Sequence, residues 1–431
     1  MPNLKQSYNR SEPAVQQDDE SLRSASMSRR AFLVATLSGT VGIIVAACTR
    51  KTPTPAPTPV RTLSPTFTST PSPKSTLAAT VAPTGTPEPT TAQPATPEPT
   101  ATTPATPEPT PTPTATPFPP GPPSKLGVFI GYNHPQIFEL LATGNVALVK
   151  TLEVDPNFVT EIKRLSPNTV LVARYDPLPL PDLDNWNPKE AARQFVEQVL
   201  PIATDPQRLA AIDAWESFNE PIPQTVDQMA RLAVFEAERT RLLAAAGIRS
   251  CVGNFATGQP PLELWPAFYP ALQAVNENNG FLGLHEYSAP YMWFGSGTHQ
   301  LQEDGNEGDE GWLTLRYRKV YRDYLEPAGL AVPLLITETG IDGLVAGRPG
   351  PQGGGWKDFV NFWWEEGKVS TTAEGFYVEQ LAWYDGEMQR DDYVKGASIY
   401  TLAGPAGWQS YEIHGPVAEI LKGYLAVHPA R

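Results

Sequence analysis

The feature that most constrains this sequence is an alternation of short apolar runs with longer amphipathic stretches, which starts at Lys125 and continues almost to the last residue. The apolar runs indicate β-strands, and the stretches between them indicate helices, several of which begin at Pro or after Asp or Asn. The predicted strands are 127–132, 146–152, 169–175, 211–219, 249–255, 280–287, 332–339 and 395–402. The predicted helices are 134–143, 155–165, 188–203, 225–246, 262–276, 312–324, 373–388 and 415–426.

This alternation predicts an α/β fold with a parallel sheet and crossover helices. Eight strand–helix pairs in about 300 residues fit a (β/α)8 (TIM) barrel. The alternative is an open doubly wound sheet, which is less favoured because no glycine-rich phosphate-binding loop follows the first strand, GVFIGY. We therefore predict that residues 125–431 form a (β/α)8 domain.

The first 48 residues are predicted to be an export leader. Segment 28–48 contains two arginines, an apolar stretch of about 17 residues and a small-residue ending, which is signal-peptide architecture. Its SRRAFL start resembles a twin-arginine export signal, and Val45-Ala46-Ala47-Cys48 resembles a bacterial lipobox, in which the cysteine is lipidated. The alternative is an uncleaved membrane anchor. We expect an exported lipoprotein, attached through Cys48 to a membrane at the cell surface or in the periplasm, with Met27 as a second candidate start.

Residues 49–124 are predicted to be a disordered Thr/Pro-rich stalk. The segment is mostly Thr, Pro, Ala and Ser, and TPEPT recurs at 86–90, 96–100 and 106–110. It lacks the apolar side chains that offset the entropy of ordering a chain. Because proline favours an extended, semi-rigid form, we expect the stalk to hold the following domain away from a membrane.

Composition argues against several classes of function. The formal net charge is −14 and no basic run follows the leader, so a nucleic-acid partner is not expected. The chain has two cysteines, Cys48 and Cys251, and its five histidines include no i, i+4 pair. We therefore expect no disulfide framework, no dedicated metal site and no cofactor, and no obligate protein partner is evident.

Polar and ionisable residues gather at the carboxyl ends of the predicted strands, where (β/α)8 barrels place their active sites. They are Tyr132, Asn133, His134, Lys150, Arg174, Tyr175, Asn219, Glu220, Asn254, His285, Glu286, Tyr287, Glu338, Thr339, Tyr400 and Thr401. A purely structural barrel has no reason to collect Arg, His, Tyr and two Glu at one rim.

Two of these residues are carboxylic acids that a closed barrel would bring to one cavity. Glu220 ends the fourth run and Glu338 ends the seventh, so they face each other across the mouth. Glycoside hydrolysis needs such a pair, because one carboxyl donates a proton while the other attacks or activates water. Arg174, His285 and Tyr287 are candidates to keep one of the two charged. The alternatives are a helix cap for Glu220, a solvated loop acid for Glu338 and a core histidine for His285.

The predicted barrel resembles the retaining glycoside hydrolases of clan A, the group that includes families 5 and 39. In that clan an Asn-Glu closes the fourth strand and its Glu is the acid/base, which corresponds to Asn219-Glu220-Pro221. The nucleophile is a Glu at the end of the seventh strand, which corresponds to Glu338 in ITETG. A His-x-Tyr at the sixth strand resembles His285-Glu286-Tyr287. The resemblance spans about residues 125–428 and implies that Tyr287 contacts the nucleophile and that Asn219 bonds the sugar 2-OH.

Two positions depart from the clan pattern. The clan's basic residue commonly closes the second strand, where this chain has Lys150, whereas Arg174 closes the third. The clan's tryptophan at the eighth strand is absent from YTLAG, and Trp408 is a candidate for its role. Trp408 and Trp293 are predicted to stack on sugar rings.

Three further features are given structural interpretations. Glu216, inside the fourth run, is interpreted as a structural ion-pair partner rather than a catalytic acid. Glu286 is expected to face away from its neighbours, because successive strand residues point to opposite faces. The long glycine-rich and aromatic insert 341–372 is expected to wall the cleft or to act as a lid.

Together these features predict a surface lipoprotein enzyme that hydrolyses a β-linked oligo- or polysaccharide with net retention. The predicted catalytic residues are Glu220 and Glu338, and the predicted substrate-binding residues are Asn219, Arg174, His285, Tyr287, Trp293 and Trp408. The alternative is a non-catalytic glycan-binding surface lipoprotein. A solute-binding lipoprotein of a transporter is a weaker rival, because it needs two lobes and a hinge rather than eight evenly spaced units.

Overall fold

The computed structural model describes residues 118–296, 309–311 and 313–430. The predicted leader, its Cys48 and the predicted stalk up to residue 117 lie outside the described residues. Within the described ranges, no helix combines the length and the apolar character that crossing a membrane requires.

All eight predicted strands are present, and their pairings are parallel. They lie in the order β4-β3-β2-β1-β8-β7-β6-β5, so the first strand pairs with the last and the sheet curls into a nearly closed barrel. The strands are β1 Leu126–Ile130, β2 Leu148–Thr151, β3 Val170–Ala173, β4 Ala214–Trp215, β5 Cys251–Phe255, β6 Phe281–Ser288, β7 Leu334–Ile341 and β8 Val394–Ala403. The predicted (β/α)8 barrel is thereby confirmed.

Helices connect the strands, as a parallel sheet requires. They are α1 Gln136–Leu141, α2 Pro156–Leu165, α3 Pro188–Ala203, α4 Pro206–Ala211, α5 Val226–Ala244, α6 Trp265–Glu277, α7 Arg316–Val320, α8 Val360–Glu365, α9 Ala373–Met388 and α10 Pro416–Ala426. Several begin as their sequences indicate, with a side chain that accepts a hydrogen bond from the first turn; Asp155, for example, caps α2 and is followed by Pro156.

The inside of the barrel has an apolar lower layer and a polar upper layer. The lower layer is a cluster of buried residues from six strands: Leu148, Val172, Ala214, Cys251, Phe281 and Leu335. Because side chains two apart share a strand face, the next inward positions of β2 and of the chain after β4 are Lys150 and Glu216. Both are buried and charged, so the barrel changes from apolar to ionic within one step along these strands.

The fourth strand is shorter than predicted. Residues 211–219 were expected to form a strand, but regular pairing covers Ala214–Trp215. Beyond it the backbone still bonds both neighbours, since the Glu216 amide donates to the Ala173 carbonyl and the Glu220 amide donates to the Asn254 carbonyl. Glu220 itself has a φ of 49°, in the left-handed region that lies outside the extended range of strand residues, so the chain turns at this residue.

Helix α5 closes the barrel between β4 and β5, where the sheet shows one isolated bridge, Trp215 to Ser250. Arg239 of α5 donates to the Trp215 carbonyl at 3.2 Å and to the Cys251 carbonyl at 2.9 Å. Its charge is paired with Glu236 of the same helix at 2.8 Å, and both side chains are fully buried. One arginine therefore ties the two strands together from outside.

The described chain begins with a short segment that packs on the last helix. The Phe118 ring meets the Tyr424 ring of α10 edge-on, with centroids 5.1 Å apart. The Gly121 and Ser124 amides donate to the Val427 and His428 carbonyls. Residues 118–124 are thus bonded to the barrel.

Candidate active site

The carboxyl ends of β2, β3, β4, β6 and β7 bring a compact polar cluster to the barrel mouth. Strands β6 and β7 run side by side, and His285 is in register with Glu338. The cluster consists of Lys150, Arg174, Glu216, Asn219, Glu220, His285, Tyr287 and Glu338. The six predicted residues Glu220, Glu338, Asn219, Arg174, His285 and Tyr287 therefore meet in one place.

Glu338 receives donors from three different strands. The Tyr287 hydroxyl donates to its Oε2 at 2.7 Å, and the Lys150 ammonium donates to its Oε1 at 3.1 Å. The Arg174 guanidinium lies 3.5 Å from the same Oε1. Two cations and a hydroxyl around a buried carboxylate favour its ionised form, which is the form that can act as a nucleophile.

Glu220 is held by the histidine that lies between the two acids. His285 Nδ1 is 2.9 Å from Glu220 Oε1 and 3.6 Å from Glu338 Oε2. All three side chains are buried, and an oxygen of Glu220 lies within 4.8 Å of an oxygen of Glu338. Their different neighbours can divide two like groups into an acid and a nucleophile.

Arg174 links the nucleophile position to Asn219. Its Nη1 donates to Asn219 Oδ1, and its Nε lies 3.3 Å from Asp176. Burial by itself would lower the pKa of Arg174, but the carboxylates of Asp176, Glu338 and Glu216 outweigh that effect and raise the pKa above its ordinary value. Arg174 is therefore a fixed cation at the rim.

Lys150 and Glu216 belong to the cluster, although neither was among the predicted site residues. Lys150 Nζ lies 2.9 Å from Glu216 Oε2 and 3.5 Å from His285 Nε2, in addition to its bond to Glu338. Glu216 forms an ion pair, in agreement with its interpretation as a structural ion-pair partner. The other member of the pair, Lys150, also contacts Glu338. Strand alternation was the available signal, because it places Lys150 on the same inward face as Leu148.

Glu286 faces away from the mouth, as alternation predicted, but it is buried rather than solvated. Its carboxylate accepts hydrogen bonds from the Leu315 and Tyr317 amides and from the Tyr384 hydroxyl of α9. Burial raises the pKa of Glu286 to about 7, and those three hydrogen bonds oppose the rise. Glu286 thus fastens the strand that carries His285 to the outer layer.

The two predicted sugar-stacking tryptophans lie in different surroundings. Trp408 belongs to a buried aromatic cluster with Phe129, Tyr287, Tyr400 and Tyr411, so it is one ring away from the tyrosine that bonds Glu338. Trp293 stacks on Tyr291 and meets Phe376 and Trp383 of α9 edge-on. Its ring is thus packed against the helix layer.

The insert after β7 folds against the loop after β8. The Tyr411 hydroxyl donates to Asp342 Oδ1 at 2.8 Å, and Trp356 Nε1 donates to the Glu412 carbonyl at 3.2 Å. Since Tyr411 also contacts Trp408, the insert buttresses the aromatic cluster beside the mouth.

A metal ion would meet unfavourable charges at this site. Glu220, His285 and Glu338 each offer one ligand atom, and these atoms lie within 4.8 Å of one another. His285 Nδ1 already contacts Glu220, and the Lys150 ammonium contacts both His285 and Glu338. A divalent cation would therefore sit beside an existing positive charge, which repels it.

Comparison with known proteins identifies no family for this chain, and the solved structures that match it do so at low identity and with TM-scores below 0.5. No protein-family model matches the sequence, and no curated protein is similar to it. An endo-β-1,3-glucanase of glycoside hydrolase family 128, subgroup II, from Sorangium cellulosum matches with 14% identity and a TM-score of 0.41, over 70% of this chain and 98% of that one. A β-1,3-glucanase and allergen of Cryptomeria japonica pollen matches with 14% identity and a TM-score of 0.38, over 67% and 95%. The β-glucuronidase of Ruminococcus gnavus matches with 14% identity and a TM-score of 0.44, over 70% of this chain and 49% of that one.

Proposed function

We propose that this chain is a glycoside hydrolase that cleaves a β-linked glycan with retention, with Glu220 as the acid/base and Glu338 as the nucleophile. The observation that carries the proposal is the pair of buried carboxylates across the barrel mouth, joined by His285. Their surroundings differ in the way this reaction needs, because Glu338 has two cations beside it while Glu220 faces an imidazole.

The short separation of the two acids supports retention over inversion. An oxygen of Glu220 lies within 4.8 Å of one of Glu338. Retaining enzymes hold their carboxyl groups about 5–5.5 Å apart, whereas inverting enzymes need about 6.5–9.5 Å to admit a water molecule between the base and the anomeric carbon. The arrangement leaves room for a glycosidic bond and favours direct attack by Glu338.

The proposed reaction has two displacements. In the first, Glu338 forms a bond to the anomeric carbon while Glu220 gives its proton to the departing glycosidic oxygen. In the second, Glu220 takes a proton from water, the water oxygen bonds to the anomeric carbon, and Glu338 leaves as a carboxylate. Each bond change uses side chains of the cluster and one water.

Neighbouring side chains are proposed to bind the sugar. Asn219 Oδ1 accepts a hydrogen bond from Arg174, and this fixes the orientation of the side-chain amide. Its NH2 group is then the part of Asn219 that can donate to a sugar hydroxyl. Trp408 is the better placed of the two predicted tryptophans, since its cluster includes Tyr287. Trp293 remains a proposed contact for a more distant ring of a polysaccharide.

The proposal is tested with a panel of aryl β-glycosides and β-glucans, to which β-1,3-glucans and β-glucuronides are added because enzymes for them match the fold. We expect hydrolysis of at least one substrate and a Glu338→Ala variant that loses at least about a thousandfold in kcat/KM. Glu197→Gln, an exposed glutamate on α3, is the matched control and should keep full activity.

Two further measurements address the mechanism and the main rival. Proton NMR of the first-formed product should show the β-anomer, whereas the α-anomer would indicate inversion. Binding of a glycan on the panel without any hydrolysis would instead favour the non-catalytic glycan-binding lipoprotein.

Export and membrane attachment remain proposals from the leader sequence. We propose that the mature protein is lipidated at Cys48 and carried on the stalk outside the cytoplasm. Metabolic labelling with a fatty-acid analogue should mark the wild-type chain, and Cys48→Ser should lose the label and leave the membrane fraction. A labelled Cys48→Ser protein would contradict the proposal.

A further inference from the structure

Lys150 lies at the centre of the site and contacts three other strand ends. Its ammonium is 3.1 Å from Glu338 Oε1, 2.9 Å from Glu216 Oε2 and 3.5 Å from His285 Nε2. The face of the Phe129 ring lies 5.5 Å from Nζ. Lys150 is fully buried, so its ammonium does not contact solvent.

The ammonium also fixes the proton on His285. A lysine ammonium can donate hydrogen bonds but cannot accept them, so His285 Nε2 must accept. A neutral imidazole carries its proton on the other nitrogen, and that nitrogen faces Glu220 Oε1 at 2.9 Å. Glu220 Oε1 is therefore an acceptor, and the proton that Glu220 donates to a leaving group resides on Oε2.

Glu216 forms its direct ion pair with Lys150. Neither of its carboxylate oxygens has a hydrogen bond of good geometry within the described part of the chain, and both are buried. The ion pair with Lys150 is thus what compensates its burial.

We propose that Lys150 is a catalytic residue of the reaction inferred above, and that Glu216 is its positioning residue. Lys150 keeps Glu338 ionised and sets the tautomer of His285, and Glu216 keeps Lys150 in place as a cation. This inference rests on the proposed function, because it assigns Glu338 as the nucleophile.

Glu216 provides Lys150 with a second carboxylate partner during the reaction. When Glu338 is bonded to the sugar it loses its negative charge, and Lys150 would then be a buried cation without its partner. Such a charge is strongly unfavourable if it is left uncompensated. Glu216 keeps the ammonium paired through this intermediate, and Lys150 remains ready to stabilise Glu338 when it leaves.

The charges around Glu338 determine in which direction each substitution should change the ionisation of Glu338. The titratable groups that face Glu338 are Lys150, Arg174, His285, Tyr287 and Glu220, and Glu216 acts through Lys150. Removing the positive charge of Lys150 should make Glu338 harder to ionise. Removing the negative charge of Glu216 should make Glu338 easier to ionise, since Lys150 then shares its charge with one carboxylate fewer, while Glu220 is the same in every variant.

The experiment compares Lys150→Met, Glu216→Gln and the double variant in the full-length protein. The readout is the acid limb of kcat/KM against pH on the best substrate of the panel. We expect Lys150→Met to move this limb up by about one to three pH units and to lower kcat/KM at least tenfold. Glu216→Gln should move the limb down, and the double variant should lie between the two.

A merely structural role for either residue predicts a different result. Two variants that only loosen the site would lower activity together without opposite shifts, so shifts in the same direction, or none, overturn the proposal. If Lys150→Met does not fold, Glu216→Gln keeps the test open, because an upward or absent shift in that nearly isosteric variant also overturns it.

A second readout separates this inference from the proposed function. Glutamate labelled with ¹³C at Cδ reports the ionisation of Glu338 without turnover, with its signal assigned by its loss in Glu338→Gln. Opposite titration shifts in the two single variants support the proposed charges even if no substrate is hydrolysed. Hydrolysis together with unshifted titration supports the enzyme and overturns the role of Lys150.

Discussion

The nucleophile position owes its character to the side chains that touch it. Glu338 is bonded by Tyr287, Lys150 and Arg174, which reach it from three strands. Each donor stabilises the carboxylate, and each must yield part of that stabilisation when Glu338 attacks. The same donors stabilise the charge that returns to Glu338 when it leaves the sugar, and in that second step they act as preorganised electrostatic stabilisation.

Tyr287 offers the most direct test of this arrangement. Tyr287→Phe removes the donor 2.7 Å from Glu338 Oε2 and leaves the ring in place. We expect kcat/KM to fall about 10- to 1000-fold, as it does when a single preorganised donor is lost. Tyr324→Phe removes the hydroxyl of a half-buried tyrosine outside the site and should be neutral, and an equal loss in both variants would contradict a specific role.

Glu286 should make stability depend on pH. Burial raises its pKa in the folded protein to about 7, above the ordinary value near 4.5. The folded state therefore binds the proton more tightly, so Glu286 stabilises the fold at low pH and this contribution is lost as pH rises from about 4.5 to 7. The loss is on the order of 3 kcal/mol for such a difference in pKa.

The measurement for Glu286 is urea unfolding at several pH values between 5 and 7.5. The wild type should lose more free energy of unfolding over this range than Glu286→Gln, which has no proton to release. Glu197→Gln, at an exposed position, should follow the wild type. Parallel curves for wild type and Glu286→Gln would show that Glu286 is already ionised across the range.

At the scale of the element, helix α5 joins β4 and β5, which are paired through one isolated bridge. The Arg239 guanidinium bonds carbonyls of both β4 and β5 and is neutralised by Glu236. The catalytic candidate Glu220 lies five residues beyond the end of β4, and its amide donates to the Asn254 carbonyl of β5. The position of this acid therefore depends on a contact made behind the barrel wall.

Arg239→Met tests the clamp. The substitution leaves Glu236 as an unpaired buried acid, and we expect a loss of about 3–5 kcal/mol in the free energy of unfolding. The double variant Arg239→Met with Glu236→Leu should recover part of this loss, because it removes both charges. Arg193→Met, which removes an exposed arginine of α3, is the control, and an equal effect there would argue against the clamp.

The elements also show what sequence patterns can predict. Alternation of apolar runs with amphipathic stretches predicted all eight strands, because it follows from local periodicity. It overestimated β4, which was predicted to reach Asn219, whereas regular pairing ends at Trp215 and the chain turns at Glu220, where φ is positive.

The charge network of the site could not be derived from that periodicity. Lys150 meets Glu216 and Glu338 because the stagger and small radius of a closed barrel bring β2, β4 and β7 together. The inward direction of Lys150 follows from its position after Leu148, but its partners depend on this closure. The packing of Trp293 against α9 is likewise set by tertiary contacts.

At the scale of the whole molecule, the cluster that we propose as the active site lies within the barrel. Its members come from strands and strand ends between Lys150 and Glu338. We therefore expect the residues before 118 to matter for where the protein acts and not for the chemical step.

Truncation tests this division. A chain that begins at Phe118 should keep the full-length kcat/KM on a soluble substrate. A chain that begins at Lys125 loses the ring contact with Tyr424 and the bonds to Val427 and His428, so it should unfold with about 1–2 kcal/mol less free energy. Equal stability of the two truncated chains would show that residues 118–124 do not contribute.

The junction of β4 and β5 has a consequence for how the protein responds to heat. Seven neighbouring pairs of strands are joined by ladders of two or more residue pairs, while this junction relies on one bridge, a few amide bonds and the Arg239 clamp. As temperature rises, the barrel should open at this junction before its other strands separate. Glu220 would then move away from Glu338. Catalysis should then stop several degrees below the loss of helical circular dichroism, and a covalent cross-link across the split should bring the two temperatures together.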